Sequence, residues 1–165
     1  MIECRNCNSK NLKKIIYIGK QVVSSIFPKT KSRHSKKYSL DLYECQKCKL
    51  VQLGKSIPLG NMYGETYGYR SSLSKLMVNH LKNKFLQLKK MLKLKNKSNI
   101  LDIGSSDSTF LNFFSNEKKG YKCFGIDPSA KKYSKYYNKD VNLIVDYFSA
   151  KSVNSRLNSI NLKNK

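Results

Sequence analysis

Four of the five cysteines stand in two C-x-x-C pairs, Cys4-Arg-Asn-Cys7 and Cys45-Gln-Lys-Cys48, with 37 residues between them. A C-x-x-C pair makes a tight knuckle that aims two thiolates at one ion. Two knuckles together give tetrahedral four-sulfur coordination with metal–sulfur bonds of about 2.3 Å, the usual closed structural zinc site. Iron in a rubredoxin-like setting uses the same four thiolates, so spacing alone leaves zinc and iron both open. Such a site has no vacant coordination position, so the metal is expected to stabilise the fold and not to catalyse. Lys10, Lys13, Lys14, Lys47 and Lys49 lie close in sequence and are expected to lower the thiol pKa values. The N-terminus, MIECRNCNSK, lacks the apolar run of a secretory signal, which favours metal ligands over disulfides. Cys123, within the apolar run Tyr121 to Ile126, reads as a small buried hydrophobe, and His34 as a loop residue.

A second group of residues lies downstream. Ile100-Leu-Asp102-Ile-Gly104-Ser-Ser106-Asp-Ser108-Thr-Phe-Leu111 reads as a strand, a turn of small residues and a helix start. Gly104 permits a tight turn and close approach by a ligand, and the small side chains keep the space above the strand open. A nucleotide dehydrogenase would show G-x-G-x-x-G, and serines stand at 106 and 108 here. The next strand ends in Gly125-Ile-Asp127-Pro-Ser129, about 20 residues on, where a carboxylate can accept hydrogen bonds from ribose hydroxyls. Asp127 can also cap the following helix, with Pro128 at its first position. Asp146-Tyr147-Phe148 closes a third strand, where acidic and aromatic groups could flank an adenine.

The elements that must hold these groups fall into three zones. Residues 1–53 form a zinc-binding domain with β-like runs at Leu12 to Ile18, Gln21 to Phe27 and Tyr38 to Tyr43, and a basic loop from Pro28 to Lys37. Residues 54–98 are a connector, turn-rich at first and then helical from Ser71. Leu73, Met77, Leu81, Phe85, Leu88 and Leu92 form one stripe of that helix, and Ser71 or Ser72 offers its N-cap hydroxyl. Residues 99–165 alternate strand and helix: Asn99 to Ile103, Thr109 to Glu117, Tyr121 to Ile126, Ala130 to Asn138 and Val141 to Val145. That β-α-β-α-β order is the doubly wound pattern. The tail from Ser149 is polar with a weak helical pattern.

The formal charge of +23 points first to nucleic acid or an anionic surface. Only Arg5, Arg33, Arg70 and Arg156 among the 33 basic residues are arginine, the residue favoured for bidentate phosphate and base recognition. Lysine spread along the whole chain reads as a solvated surface, so nucleic acid is not the expected partner. No stretch approaches the roughly 20 apolar residues needed to span a bilayer, and a cytoplasmic protein is the default expectation.

In combination these pieces resemble the deoxysugar C-methyltransferases that carry an N-terminal zinc-binding domain ahead of an S-adenosylmethionine domain. The likeness rests on four features in order. They are the two knuckles followed by Leu50-Val-Gln-Leu53; Tyr63-Gly-Glu-Thr-Tyr67-Gly-Tyr69-Arg-Ser-Ser72; Asp102-Ile-Gly104-Ser-Ser106-Asp107; and Gly125-Ile-Asp127-Pro-Ser129. The last two are similar to the family's D-I-G-S-N-D-G and G-I-D-P-S, with Ser106 and Ser108 in place of its Asn and second Gly. A side chain at 108 is expected to crowd the methionine moiety.

The resemblance implies S-adenosylmethionine as cofactor beside zinc, held by Asp102, Gly104, Ser106, Asp127, Asp146 and Tyr147. It implies a nucleotide-sugar substrate methylated on a carbon next to a ketone, with Tyr67 and Tyr69 near the sugar. The fold it implies is α/β, a small zinc-binding β domain followed by an incomplete Rossmann-like S-adenosylmethionine-binding domain. Family members continue well past residue 165, so a truncated form of little activity is expected, and a second chain carrying the missing half is a candidate partner. A zinc-ribbon nucleic-acid-binding or interaction module is the alternative, and it accounts for residues 1–53 and the charge alone. A gene product with no function beyond folding is a third reading.

Overall fold

The computed structural model describes residues 2–23, 36–63 and 67–159. The chain forms two compact units, Met1–Tyr67 and Gly68–Lys165. The connector expected at 54–98 is therefore divided between them. Its turn-rich start belongs with the cysteine-bearing strands, and its helix with the downstream sheet.

In the first unit, β1 (Leu12–Ile16) pairs antiparallel with β4 (Leu42–Cys45), which pairs antiparallel with β5 (Val51–Leu53). A two-stranded ribbon joins β2 (Lys20–Val22) to β3 (Lys37–Ser39). The expected run Tyr38 to Tyr43 is split. Leu40 N–H donates to Gly19 O and Gly54 N–H to Asp41 O, so Leu40 and Asp41 carry the chain from the ribbon into the three-stranded sheet. Most of Gln21 to Phe27, the loop from Pro28 and His34 lie outside the described residues. The short helix α1 (Leu59–Tyr63) closes this unit, and the Asn61 amide donates to the Tyr38 hydroxyl at 2.7 Å.

The second unit opens with a 3₁₀ turn, Ser71–Leu73, and the helix α2 (Lys75–Leu92). The N-cap is Ser74, whose hydroxyl accepts from Met77 N–H, and not Ser71 or Ser72 as expected. The 3₁₀ turn has already used those two serines, so the helix proper starts one residue beyond it. The stripe of α2 faces inward only at its middle: Phe85 is buried, whereas Leu73 and Leu92 are 66% and 57% exposed.

Downstream, β6 (Asn99–Ile103), β7 (Lys122–Ile126) and β8 (Asn142–Ile144) form a parallel three-stranded sheet in that order. Parallel neighbours need crossovers. Here they are α3 (Thr109–Ser115) and the stretch Ala130–Tyr136, which is 3₁₀ and not the α-helix expected. A final helix, α4 (Ala150–Ser159), takes up the expected weakly helical tail.

Phe85, Leu111, Phe114, Tyr121, Cys123 and Val141 form one buried cluster, with Ile100 packed against it. Phe85 meets Phe114 edge to face at 4.8 Å and stacks on Phe113 at 5.8 Å. Lys89 closes on both Glu117 oxygens at 2.7 Å, tying α2 to the residues just after α3. The structure is thus mixed α/β. Among the described residues no helix is long and apolar enough to cross a membrane.

Candidate functional site

The two knuckles of the first unit are built alike. Cys4 N–H donates to Ser9 O and Asn8 N–H to Cys4 O; Cys45 N–H donates to Leu50 O and Lys49 N–H to Cys45 O. Each turn closes through a left-handed residue, Asn8 at φ 56° and Lys49 at φ 64°. Asparagine takes that conformation readily; lysine does so at a cost of about 1 kcal/mol. The β1–β4 register sets Leu12 opposite Cys45, which brings the first knuckle to the second. Gln52, only 6% exposed, fastens the arrangement: its carbonyl accepts from Arg5 N–H and its amide donates to Glu3 O, both at 2.9 Å.

The result is a cluster of four sulfurs. Cys4 and Cys48 lie 3.4 Å apart and Cys7 and Cys45 3.6 Å apart, with all four within 4.8 Å of one another. A tetrahedral ion with bonds of about 2.3 Å sets its sulfurs about 3.8 Å apart, so the donor set fits zinc. Cys4 and Cys45 are fully buried, and all four are free thiols.

The lysines are not what tunes these thiols. The Leu50 amide N–H, helped by the Asn6 side chain, brings Cys48 down to about 6. The Cys48 and Lys47 amides lower Cys45. At Cys7 the Ser9 amide pulls downward, but burial and the three neighbouring sulfurs outweigh it and push the thiol to about 12. Lys10, Lys14 and Lys49 are engaged with Glu3, Asp41 and Glu44. Knuckle amides therefore do the work the sequence assigned to lysine charge.

The loop of the second unit lies between β6 and α3. Gly104 has φ +80°, and a Cβ there would meet nothing within 4 Å, so the space above it is open. Asp127, at the tip of β7, reaches across to it. Its Oδ2 accepts from Ser106 N–H at 3.0 Å, and its Oδ1 accepts from the Ser129 amide and hydroxyl at 2.7 and 2.6 Å. Asp127 thus holds the loop and starts the next turn at once, and Oδ2 has room for a second donor.

Asp102 sits half-buried on β6. Burial, and then the Asp127 charge, raise its carboxyl to about 6. Asp107 is 1% exposed; burial works to raise it, but the Ser72 hydroxyl and amide and the Thr109 hydroxyl and amide hold it below the usual carboxylate range. Ser106 and Ser108 both adopt left-handed backbone, at φ 47° and 63°, where the Asn and Gly of the resembled motif are at ease. Ser108 is fully buried with its hydroxyl donated to Asn112 Oδ1.

Two residues that sequence reasoning missed complete the loop. Tyr137 donates to Ser106 O and shares a 2.7 Å hydrogen bond with Ser105 Oγ. Gly125 makes room for that contact: a Cβ there would lie 2.6 Å from Ser105 Oγ and 3.0 Å from the Tyr137 ring. A lone glycine inside the apolar run Lys122-Cys-Phe-Gly-Ile126 is itself a sign of close approach. Tyr137 leaves no comparable sign.

The remaining expected site residues lie as follows. Asp146, Tyr147 and Phe148 are exposed beyond β8, with Asp146 accepting from the Tyr147 amide. Tyr67 falls in the first unit, edge to face with Tyr63 at 5.4 Å, and Tyr69, 46% exposed, falls in the second.

Residues 4–63, a little over a third of the chain, match the family model Methyltransf_13, described as "Putative zinc binding domain". Together with the four-sulfur cluster, the match makes this a methyltransferase-associated zinc-binding region. No curated protein matches the chain.

Proposed function

We propose that the chain is an S-adenosylmethionine-dependent methyltransferase whose zinc centre is structural and whose cofactor site lies at the tips of β6 and β7. The supporting observation is the Ser106–Asp127 bond beneath an open Gly104, at adjacent parallel strand ends, where α/β sheets take nucleotides. In this reading Asp127 accepts a ribose hydroxyl, Gly104 and Ser106 pass close to the ligand, and Asp102 lies beneath it. Asp146 and Tyr147 face the adenine. Zinc, held by Cys4, Cys7, Cys45 and Cys48, maintains the first unit and takes no part in the reaction.

The substrate follows from the resemblance: a nucleotide-activated deoxysugar, methylated on a carbon next to a ketone, with Tyr67 and Tyr69 near the sugar. Calorimetric titration of the zinc-loaded chain with S-adenosylhomocysteine tests the cofactor site. The expected result is saturable one-site binding, weakened at least about tenfold in Asp127→Asn, which keeps the shape but loses the charge that strengthens a ribose hydrogen bond. A folded sample that takes up no ligand at millimolar concentration overturns the reading.

A further inference from the structure

Arg70 opens the second unit and is the one arginine that its fold holds against aromatic rings in a contact described here. Its guanidinium lies 4.6 Å from the Tyr136 ring centre and 6.0 Å from that of Tyr133. Stacking on a ring fixes the plane of the fork and leaves its N–H edge available. Among the described residues it makes no ion pair with a carboxylate and donates no hydrogen bond, although the side chain is half-buried.

Its place in the unit is specific. Two residues on, Ser72 N–H donates to Asp107 Oδ2 at 3.0 Å, so the segment carrying Arg70 is tied to the loop that follows Gly104. Burial raises the Tyr133 hydroxyl, the Arg70 charge pulls it back, and the Asp107 and Asp127 charges push it up. Both carboxylates of that group accept from amides and hydroxyls, and among the described residues neither forms an ion pair with the guanidinium.

We infer that Arg70 is the anchor for a carboxylate: a preset fork beside the loop that receives the amino-acid end of the ligand, while Asp127 receives its ribose. This rests on the cofactor reading above and adds to it the recognition of the α-carboxylate. Arginine meets a carboxylate through two parallel hydrogen bonds, and a lysine in its place keeps the charge but loses the fork.

Two ligands separate the cases. S-adenosylhomocysteine carries the carboxylate; 5′-methylthioadenosine has the same nucleoside and lacks the amino-acid end. In the zinc-loaded full chain, Arg70→Met is expected to weaken S-adenosylhomocysteine about tenfold or more and leave 5′-methylthioadenosine unchanged, with Arg70→Lys between the two proteins. Unchanged 5′-methylthioadenosine binding also shows that the variant site is folded. Equal weakening of both ligands would make Arg70 a packing residue for Tyr133 and Tyr136 and overturns the inference, as does unchanged affinity for S-adenosylhomocysteine. If Arg70→Met does not fold, Arg70→Lys decides on the same two ligands. A wild-type chain that binds the nucleoside but gains nothing from the amino-acid end overturns the anchor alone. One that binds neither overturns the cofactor reading and the anchor with it.

Discussion

Asp102 is the residue at which burial and charge meet most directly. Its carboxyl rises from 3.8 to about 6 because burial penalises the anion and Asp127 repels it. A carboxyl raised on folding contributes stability below its unfolded pKa, and that stability is lost as pH climbs from about 4 through 6. At neutral pH the charged side chain is therefore a liability, worth up to about 3 kcal/mol at 1.4 kcal/mol per pKa unit, and less because it is partly solvated. Asp102→Asn is expected to be more stable than the wild type by about 1–2 kcal/mol at pH 7.5. In urea unfolding followed from pH 8 to pH 5, that gap should hold constant down to about pH 7 and then narrow as pH falls through about 6. A gap independent of pH would mean that Asp102 is not raised.

At the scale of elements, the features most legible in the sequence were those dictated by local chemistry. The knuckles follow from C-x-x-C, and β6 and β7 stand close to where apolar runs placed them; β7, buried from Cys123 to Ile126, needs continuous apolar residues, whereas β6 leaves Leu101 and Ile103 exposed. What the sequence hid depends on distant partners. The division of Tyr38 to Tyr43 is set by hydrogen bonds to Gly19 and Gly54, and β5 exists because Val51–Leu53 finds β4. The 3₁₀ form of Ala130–Tyr136 has no signature in its composition. The serines before α2 were misread for a related reason: any of Ser71, Ser72 and Ser74 can cap a helix, and only the 3₁₀ turn selects among them. Ser74→Ala is therefore expected to cost about 1 kcal/mol. Ser71→Ala should cost much less, and Ser72→Ala should fall between, since alanine keeps the amide that donates to Asp107 but loses the hydroxyl that helps hold it. Equal losses in thermal unfolding at all three positions would contradict the assignment of the cap.

The whole molecule divides its stability unevenly. In the second unit the buried residues include Phe85, Leu111, Phe114, Tyr121, Phe124 and Ile126, an aromatic and aliphatic core. Among the described residues of the first unit, the buried ones are Cys4, Val23, Cys45 and Gln52, so two of the four are metal ligands. Three short strands with Ile15, Ile16 and Val51 exposed cannot repay the chain entropy of folding by apolar burial alone. The metal must stand in for the core, and its binding free energy is folding free energy. Removing zinc with a strong chelator is therefore expected to unfold the described strands of the first unit selectively while the second unit keeps its structure. Hydrogen exchange read by peptide mass spectrometry separates the two. Amides of β1, β4 and β5 should lose protection on chelation and recover it when zinc is returned, whereas β6 and β7 should be unmoved. Cys48→Ser should reproduce the chelated pattern without a chelator, since three thiolates bind the ion far less firmly than four. Persistent protection of β1 and β4 in the metal-free protein would show that Gln52 and the strand ladder suffice, and zinc would then be an occupant of the first unit and not its core.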